Sequence, residues 1–227
     1  MKTAISLAIL GGMFCAGIGL TAASASSAPF KDVNAGHWAR TQIEQAAAKG
    51  YVSGYPDGTF AAAKTVTRAE LIKMIVDALR LPHSQGGSPW YQGYVSAAFE
   101  FGILDETDST DYEKPIRRIE IMRIVSRTLS AESRYREYLD SFQSLKKHNL
   151  PFADRETAQN RDVPYIALAY GAGIVNGFPD RTMQLSRTAT RAEAVVIVEK
   201  WLEQRGSDPL LSERLREMNF IQDETIS

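Results

Sequence analysis

Three arginines stand at one slot in three similar stretches, each opening an apolar run. Arg68 lies in Thr-Arg-Ala-Glu at 67–70, Arg191 in the same tetrapeptide at 190–193, and Arg118 in Arg-Arg-Ile-Glu at 117–120. A guanidinium in the first turn of a helix faces the positive end of the macrodipole, a placement that costs about 0.3–1 kcal/mol when exposed. Something must offset that cost in all three places, and two chemistries do so. Beside unpaired helix N–H groups, a guanidinium forms a receptor for a carboxylate or phosphate. Alternatively, each arginine pairs with an aspartate of a neighbouring stretch, Asp32 or Asp154, and ties the stretches together.

The residues around each arginine are suited to start a helix. Thr67 can accept from the Glu70 amide while Glu70 reaches back to the Thr67 amide, and Thr190 with Glu193 repeats this capping box. Each box is worth on the order of 1 kcal/mol. Downstream, Leu71, Ile72, Ile75 and Leu79 recur at helical spacing, as do Ile121, Met122, Val125 and Leu129. Both runs predict a helix with a buried stripe. Residues 194–202 are apolar nearly all round, which predicts the deepest burial.

Aligning the two Thr-Arg-Ala-Glu segments brings the upstream residues into register. Phe30-Lys31-Asp32 matches Phe152-Ala153-Asp154, and Gly-Tyr-Val-Ser-Gly-Tyr-Pro-Asp at 50–57 matches Gly-Ile-Val-Asn-Gly-Phe-Pro-Asp at 173–180. The interval from Gly54 to Arg68 equals that from Gly177 to Arg191. Between them lies a worn copy in which Trp90-Tyr91 stands where Trp38 does, Phe101-Gly102 where Lys49-Gly50 does, and Arg117 in place of the capping threonine.

Each unit reads as helix, tight turn, helix. Trp38, Ile43, Ala46 and Ala47 form the inner face of the first helix, which Gly50 ends with a left-handed cap. Tyr55-Pro56-Asp57-Gly58 has proline at the second turn position and glycine at the fourth. In the third copy Arg181 stands where Gly58 does, a strained residue if the turn needs positive φ. One such unit cannot bury its apolar face alone, so an all-α fold is expected in which three close around a shared core.

The expected organisation is a signal peptide at 1–25, repeats at 29–81, 88–131 and 151–204, an inserted amphipathic helix within 132–150, and a C-terminal helix and tail at 205–227. Tyr135, Tyr138, Leu139, Phe142 and Leu145 line the inserted helix; Asp208 and Pro209 start the last one, with Leu211, Leu215 and Met218 on one side. Met1-Lys2, an apolar stretch at 4–20 and Ala23-Ser24-Ala25 carry the marks of a secretory leader. That stretch is short for a membrane span, so the mature chain is expected to be secreted with no span. The one cysteine, Cys15, falls in the leader, which leaves packing rather than disulfides to hold the exported chain together.

Composition and motifs exclude several classes of function. Lysine and arginine number 26 against 27 acidic residues, with no basic run longer than two, which argues against nucleic acid as a partner. His37, His83 and His148 lie far apart, without the spacing of a metal site or a triad. Neither a nucleophile elbow nor a phosphate loop occurs. No enzyme activity, metal or cofactor is expected.

The combination of Phe-x-Asp at 30–32, His-Trp-Ala at 37–39, the Gly-Tyr-x-x-Gly-Tyr-Pro-Asp-Gly-Thr-Phe run at 50–60 and Thr-Arg-Ala-Glu at 67–70 resembles the S-layer homology (SLH) family. The resemblance covers about residues 29–204, close in the first copy, good in the third and only in outline in the second. It implies a pseudo-threefold, three-pronged α-helical spindle with a central bundle. It also implies a non-catalytic anchor in the cell wall or S-layer, binding secondary cell-wall polysaccharide, often pyruvyl-ketal bearing, in grooves between repeats. On that basis Arg68 and Arg191 grip the ketal carboxylate, and Arg118 holds the same slot in the worn copy. Asp32 and Asp154 accept from sugar hydroxyls or orient the arginines, and Gly54 and Gly177 let the ligand approach the backbone. Trp38 is expected in the core rather than as a sugar platform.

The departures predict unequal grooves. The second copy lacks the Phe-x-Asp pair and the proline turn, and the third has Pro164-Tyr165 near the usual tryptophan. One strong groove and one or two weaker ones are expected. The alternative is an envelope adaptor whose grooves are filled by its own side chains and which holds a protein partner through the C-terminal tail.

Overall fold

The computed structural model describes residues 30–205. The leader at 1–25 and the helix expected from Asp208 lie outside the described residues. Within them all regular structure is helical: α1 (Arg40–Lys49), α2 (Arg68–Ala78), α3 (Gln92–Glu100), α4 (Arg118–Leu129), α5 (Ser133–Ser141), α6 (Val163–Gly171) and α7 (Arg191–Gln204), with four short 3-10 turns. No helix among the described residues is long and apolar enough to cross a membrane.

The helices pair out of step with the sequence units. α2 packs on α3, α4 on α6, and α7 returns to α1. Each second helix thus covers the first helix of the following unit, and the circle closes between α7 and α1. α7 also packs on both α2 and α4, which sets these three second helices at the centre. Leu71, Ile72 and Ile75 of α2, Ile121, Met122 and Val125 of α4, and Ala194, Val195 and Val198 of α7 are all buried. Trp201 is buried as well, in keeping with the apolar composition of that stretch.

A small ring of backbone hydrogen bonds marks the pseudo-threefold axis. One residue sits two positions before each central helix: Val66, Ile116 and Ala189. The Val66 amide donates to the Ala189 carbonyl, Ala189 to Ile116, and Ile116 to Val66, each at 3.0 Å. All three residues are buried, so the bonds form away from water, where an unpaired amide would be costly.

The caps follow from residue chemistry. The Glu70 amide donates to Thr67 Oγ1 at 3.2 Å and the Thr67 amide to Glu70 Oε2 at 2.8 Å; Thr190 and Glu193 repeat the pair at 3.3 and 2.9 Å. Arginine has no acceptor, so Arg117 keeps only half the box, its amide donating to Glu120 Oε2 at 2.9 Å. Gly50 ends α1 in the left-handed conformation at φ 83°. Where α7 meets α1, Glu199 is buried and accepts from the Tyr51 hydroxyl at 2.7 Å and from Lys49 Nζ at 2.6 Å. That pairing ties the first unit to the last. Between the second and third units, α5 and the turn after it bury Tyr135, Phe142 and Leu145.

The two Pro-Asp turns adopt one shape with different residues. Tyr55 and Thr59 face each other across a three-residue loop, with the Tyr55 amide donating to the Thr59 carbonyl at 2.7 Å; Phe178 and Thr182 do the same at 2.8 Å. In the left-handed position of these loops stand Gly58, at φ 82°, and Arg181, at φ 61°. Left-handed backbone costs a residue bearing Cβ about 1–2 kcal/mol. Arg181 is exposed. Arg181→Gly is therefore expected to stabilise the protein by about 1 kcal/mol after the extra entropy of unfolded glycine is counted, a rise of roughly 2–4 °C in thermal midpoint. A melt at or below that of the parent would show the loop unstrained.

Candidate functional site

The amides at the starts of the central helices are engaged. Arg68 and Ala69 donate to the Lys114 and Tyr112 carbonyls at 3.1 and 2.9 Å, Arg118 and Ile119 to those of Arg187 and Leu185 at 2.9 and 3.1 Å, and Arg191 and Ala192 to those of Lys64 and Ala62 at 2.8 and 3.1 Å. The expected receptor of free helix N–H groups is therefore absent at these six amides. Each is satisfied by the loop of another unit, and any anion must be held by the guanidinium itself.

The pairing of the arginines with Asp32 or Asp154 is also not what the structure contains. Asp32 accepts from the Phe60 and Ala62 amides at 2.6 and 3.2 Å, and Asp154 from the Met183 and Gln184 amides at 2.8 Å each. Both carboxylates brace the strand-like segment leaving the turn. Burial alone would raise the Asp32 pKa, but the amide donors outweigh it and hold the carboxyl below its ordinary value. Asp32 also borders a cavity of about 470 Å³ with His37, Trp38 and Thr190.

Gly54 and Gly177 are needed for internal packing. A Cβ on Gly54 would sit 2.5 Å from the Phe30 ring and 2.6 Å from the Thr59 carbonyl oxygen; on Gly177 it would lie 3.0 Å from the Thr182 carbonyl oxygen. These contacts account for both glycines through the approach of the turn to the Phe-x-Asp segment.

Two of the three guanidiniums face open grooves. Arg118 is 5% exposed; its Nε donates to the Met183 carbonyl at 3.0 Å and Nη2 to that of Asn176 at 3.3 Å, with the Phe178 ring 4.7 Å away. Arg191 is 7% exposed and repeats this with the Phe60 and Ser53 carbonyls at 3.0 and 3.2 Å and the Phe60 ring at 4.7 Å. Carbonyls fix the plane of each fork without cancelling its charge. No carboxylate among the described residues forms an ion pair with Arg118, and Arg191 Nη1 lies a distant 3.7 Å from Glu70. Burial pushes the Arg118 pKa down, although an arginine stays protonated at any physiological pH.

The Arg118 groove has a cavity of about 590 Å³, walled by Trp38, Gln42, Asn176, Phe178 and Lys200. The Arg191 groove, of about 250 Å³, is walled by Ser53, Tyr55, Glu70, Lys73 and Trp90. Both draw an arginine from one unit, a turn and central helix from the next, and a tryptophan from the one after. Trp38, expected in the core, is 63% exposed, and Trp90 is 47% exposed. Trp38 precedes Ala39, the residue that caps α1, so it falls outside the helical face assigned to it. A flat apolar ring beside a fixed guanidinium suits an acidic pyranose, whose C–H face and carboxylate each find a partner.

Arg68 is different. Its Nε and Nη2 donate to Glu120 Oε1 at 2.8 and 2.6 Å, and the cavity there has shrunk to about 10 Å³. For Glu120, burial works to raise the pKa, but the Arg117 amide and the Arg117 and Arg68 guanidiniums hold it below the ordinary glutamate value. The signal for this was present in the sequence: Gly102 to Arg118 is two residues shorter than Gly50 to Arg68 or Gly173 to Arg191. Lys200 and the carbonyl ligands of the arginines left no such trace, because they come from other units. Among the described residues no group of histidine, cysteine, aspartate and glutamate is placed to hold a metal ion.

The comparisons with known proteins agree with this architecture. The model of the S-layer homology domain matches residues 29–72 and 151–195. An amylopullulanase of Thermoanaerobacterium thermosulfurigenes is 28% identical over 187 residues, which is 78% of this chain and 10% of that enzyme. The S-layer protein sap of Bacillus anthracis is 27% identical over 197 residues, 82% of this chain and 22% of that protein. The outer membrane protein SlpA of Thermus thermophilus is 42% identical over 85 residues, 34% of this chain and 9% of that protein. The chain thus spans less than a quarter of the length of each of these relatives. Residues 29–72 and 151–195 thus carry the S-layer homology domain, a likeness shared with the S-layer protein sap.

Proposed function

We propose that the protein is a non-catalytic anchor, held at the cell surface by acidic cell-wall polysaccharide bound in the Arg118 and Arg191 grooves. The observation that carries this reading is a buried guanidinium at the floor of each open groove, aimed by carbonyls and hydrogen-bonded to no carboxylate, although Glu70 lies 3.7 Å from Arg191 and Glu193 lines the Arg118 groove. A sugar bearing a carboxylate, such as a pyruvyl ketal, supplies a directly bonded countercharge, and Trp38 or Trp90 stacks on its ring. Lys200 adds a second cation to the larger groove. Support for anchoring comes from relatives named as S-layer proteins, and from enzymes that align with this chain over only a small share of their length. The acids of the site have other work: Glu70 and Glu193 cap helices, while Asp32 and Asp154 brace turns. These four carboxylates thus hold structure in place of serving as the acid and base of a glycosidase.

The test is co-sedimentation of the mature protein with purified wall, alongside wall stripped of its pyruvyl groups. Binding to the first and not the second is expected; equal binding to both defeats the ligand assignment. Trp38→Ala is expected to weaken binding roughly thirtyfold, from loss of about 2 kcal/mol at an aromatic anchor. Trp38 is exposed, so the thermal midpoint should stay put.

A further inference from the structure

Arg68 presents the same guanidinium as the two open grooves, yet a carboxylate already sits on it. Glu120 Oε1 accepts from both Nε and Nη2, and the two side chains are only 11% and 8% exposed. Arg68 Nη1 donates to the Asp111 carbonyl at 3.1 Å, so the fork is also anchored to the loop. The equivalent glutamates lie elsewhere: Glu193 pairs with Arg187, and Glu70 stays 3.7 Å from Arg191.

The cause is covalent. In the first and third units the turn hairpin brings the Phe60 and Met183 carbonyls to the arginine Nε. The middle unit is two residues shorter over this stretch, and its loop is held instead by Arg127, on Asp108 at 2.6 Å and Asp105 at 3.1 Å. Glu120 meets the Arg68 Nε in place of that carbonyl and shuts the groove.

We propose that Arg68 marks a third carboxylate-binding site of the same kind, kept filled by the chain's own Glu120, so that the protein takes acidic glycan in two grooves and not three. This inference rests on reading Arg118 and Arg191 as carboxylate receptors. A tethered glutamate competes at an effective concentration that free ligand does not reach, so the site stays silent in the native chain.

Chemical rescue tests it. Glu120→Ala leaves the guanidinium and a gap that a small carboxylate fits. Thermal unfolding is compared in sodium acetate or propionate and in sodium chloride of equal ionic strength. The variant is expected to melt well below the parent in chloride and to regain several degrees in the carboxylate salts. The parent and the double variant Arg68→Met, Glu120→Ala should share only the smaller rise that carboxylate in the Arg118 and Arg191 grooves gives. A rise for Glu120→Ala no larger than that of the parent overturns the proposal. If that variant folds in no salt, the native protein decides, through the Nε–Hε signals of its arginines on titration with acetate. A static Arg68 beside moving Arg118 and Arg191 supports the proposal, and an Arg68 that moves with them overturns it. Static Arg118 and Arg191, under both acetate and wall glycan, defeat the anchoring reading itself, whatever Glu120→Ala does.

Discussion

Replacing Arg118 and Arg191 together with methionine is expected to abolish retention on the wall and leave the helical fold in place. Methionine keeps much of the apolar stem against the Phe178 and Phe60 rings while removing the charge. A hydrogen bond to a charged group contributes about 1.5–3 kcal/mol, so each substitution alone should weaken glycan binding roughly tenfold to a hundredfold at its own groove. Tethering the second contact to the first raises avidity by 10²–10⁴, roughly, and that gain disappears with either site. On a polymer that both grooves engage, each single variant therefore forfeits it already, and the double variant loses less than the product of the two single losses. Of the singles, Arg118→Met should cost more, since its groove is the larger and the lysine of the other groove, Lys73, is already paired with Asp77. Calorimetry with solubilised wall glycan measures the single sites, and sedimentation measures the polymer effect. Retention of the double variant within twofold of the parent would exclude the arginines as the grip.

Local chemistry made much of this molecule readable in advance. Thr67 with Glu70, and Thr190 with Glu193, could be read as caps because both partners lie within one turn. The buried stripes of α2 and α4 could be read because helical spacing fixes which residues share a face. What stayed hidden depends on residues brought in from other units. The amides at the helix starts looked free because their acceptors are remote in sequence: the Arg68 amide ends on the Lys114 carbonyl and the Arg191 amide on that of Lys64. Trp38 looked like core because it adjoins the apolar positions of α1, yet the helix begins after it and the ring faces a groove formed with α4 and α7. The arginine slot stood out by its placement at a helix start, but its three members have different fates. Two lie over carbonyl cradles and one is closed by a glutamate, a difference that follows from a loop two residues shorter.

The largest stability effect is expected outside the grooves, at Asp162. Its carboxylate takes two parallel hydrogen bonds from Arg123, at 2.7 Å from Nε and 2.9 Å from Nη2, and both side chains are largely removed from water. This pair joins α4 to the start of α6, the contact by which the middle unit covers the third. The nearby carboxylate holds the Arg123 pKa above its ordinary value, so the charge on Arg123 is firmly committed to this partner. Asp162→Ala leaves that guanidinium buried and unpaired, which for such pairs destabilises by about 3–5 kcal/mol, the cost of desolvated charge rather than the worth of the pair itself. Taking roughly 2–4 °C per kcal/mol for a domain of this size, the thermal midpoint should fall by about 6–20 °C. Arg123→Met combined with Asp162→Leu should recover most of the loss, because no charge is then stranded. Glycan affinity measured well below the midpoint should not change in either variant, since neither residue borders a groove. A loss under about 1 kcal/mol for Asp162→Ala would mean that water reaches Arg123 and that the α4–α6 junction rests on its apolar contacts alone.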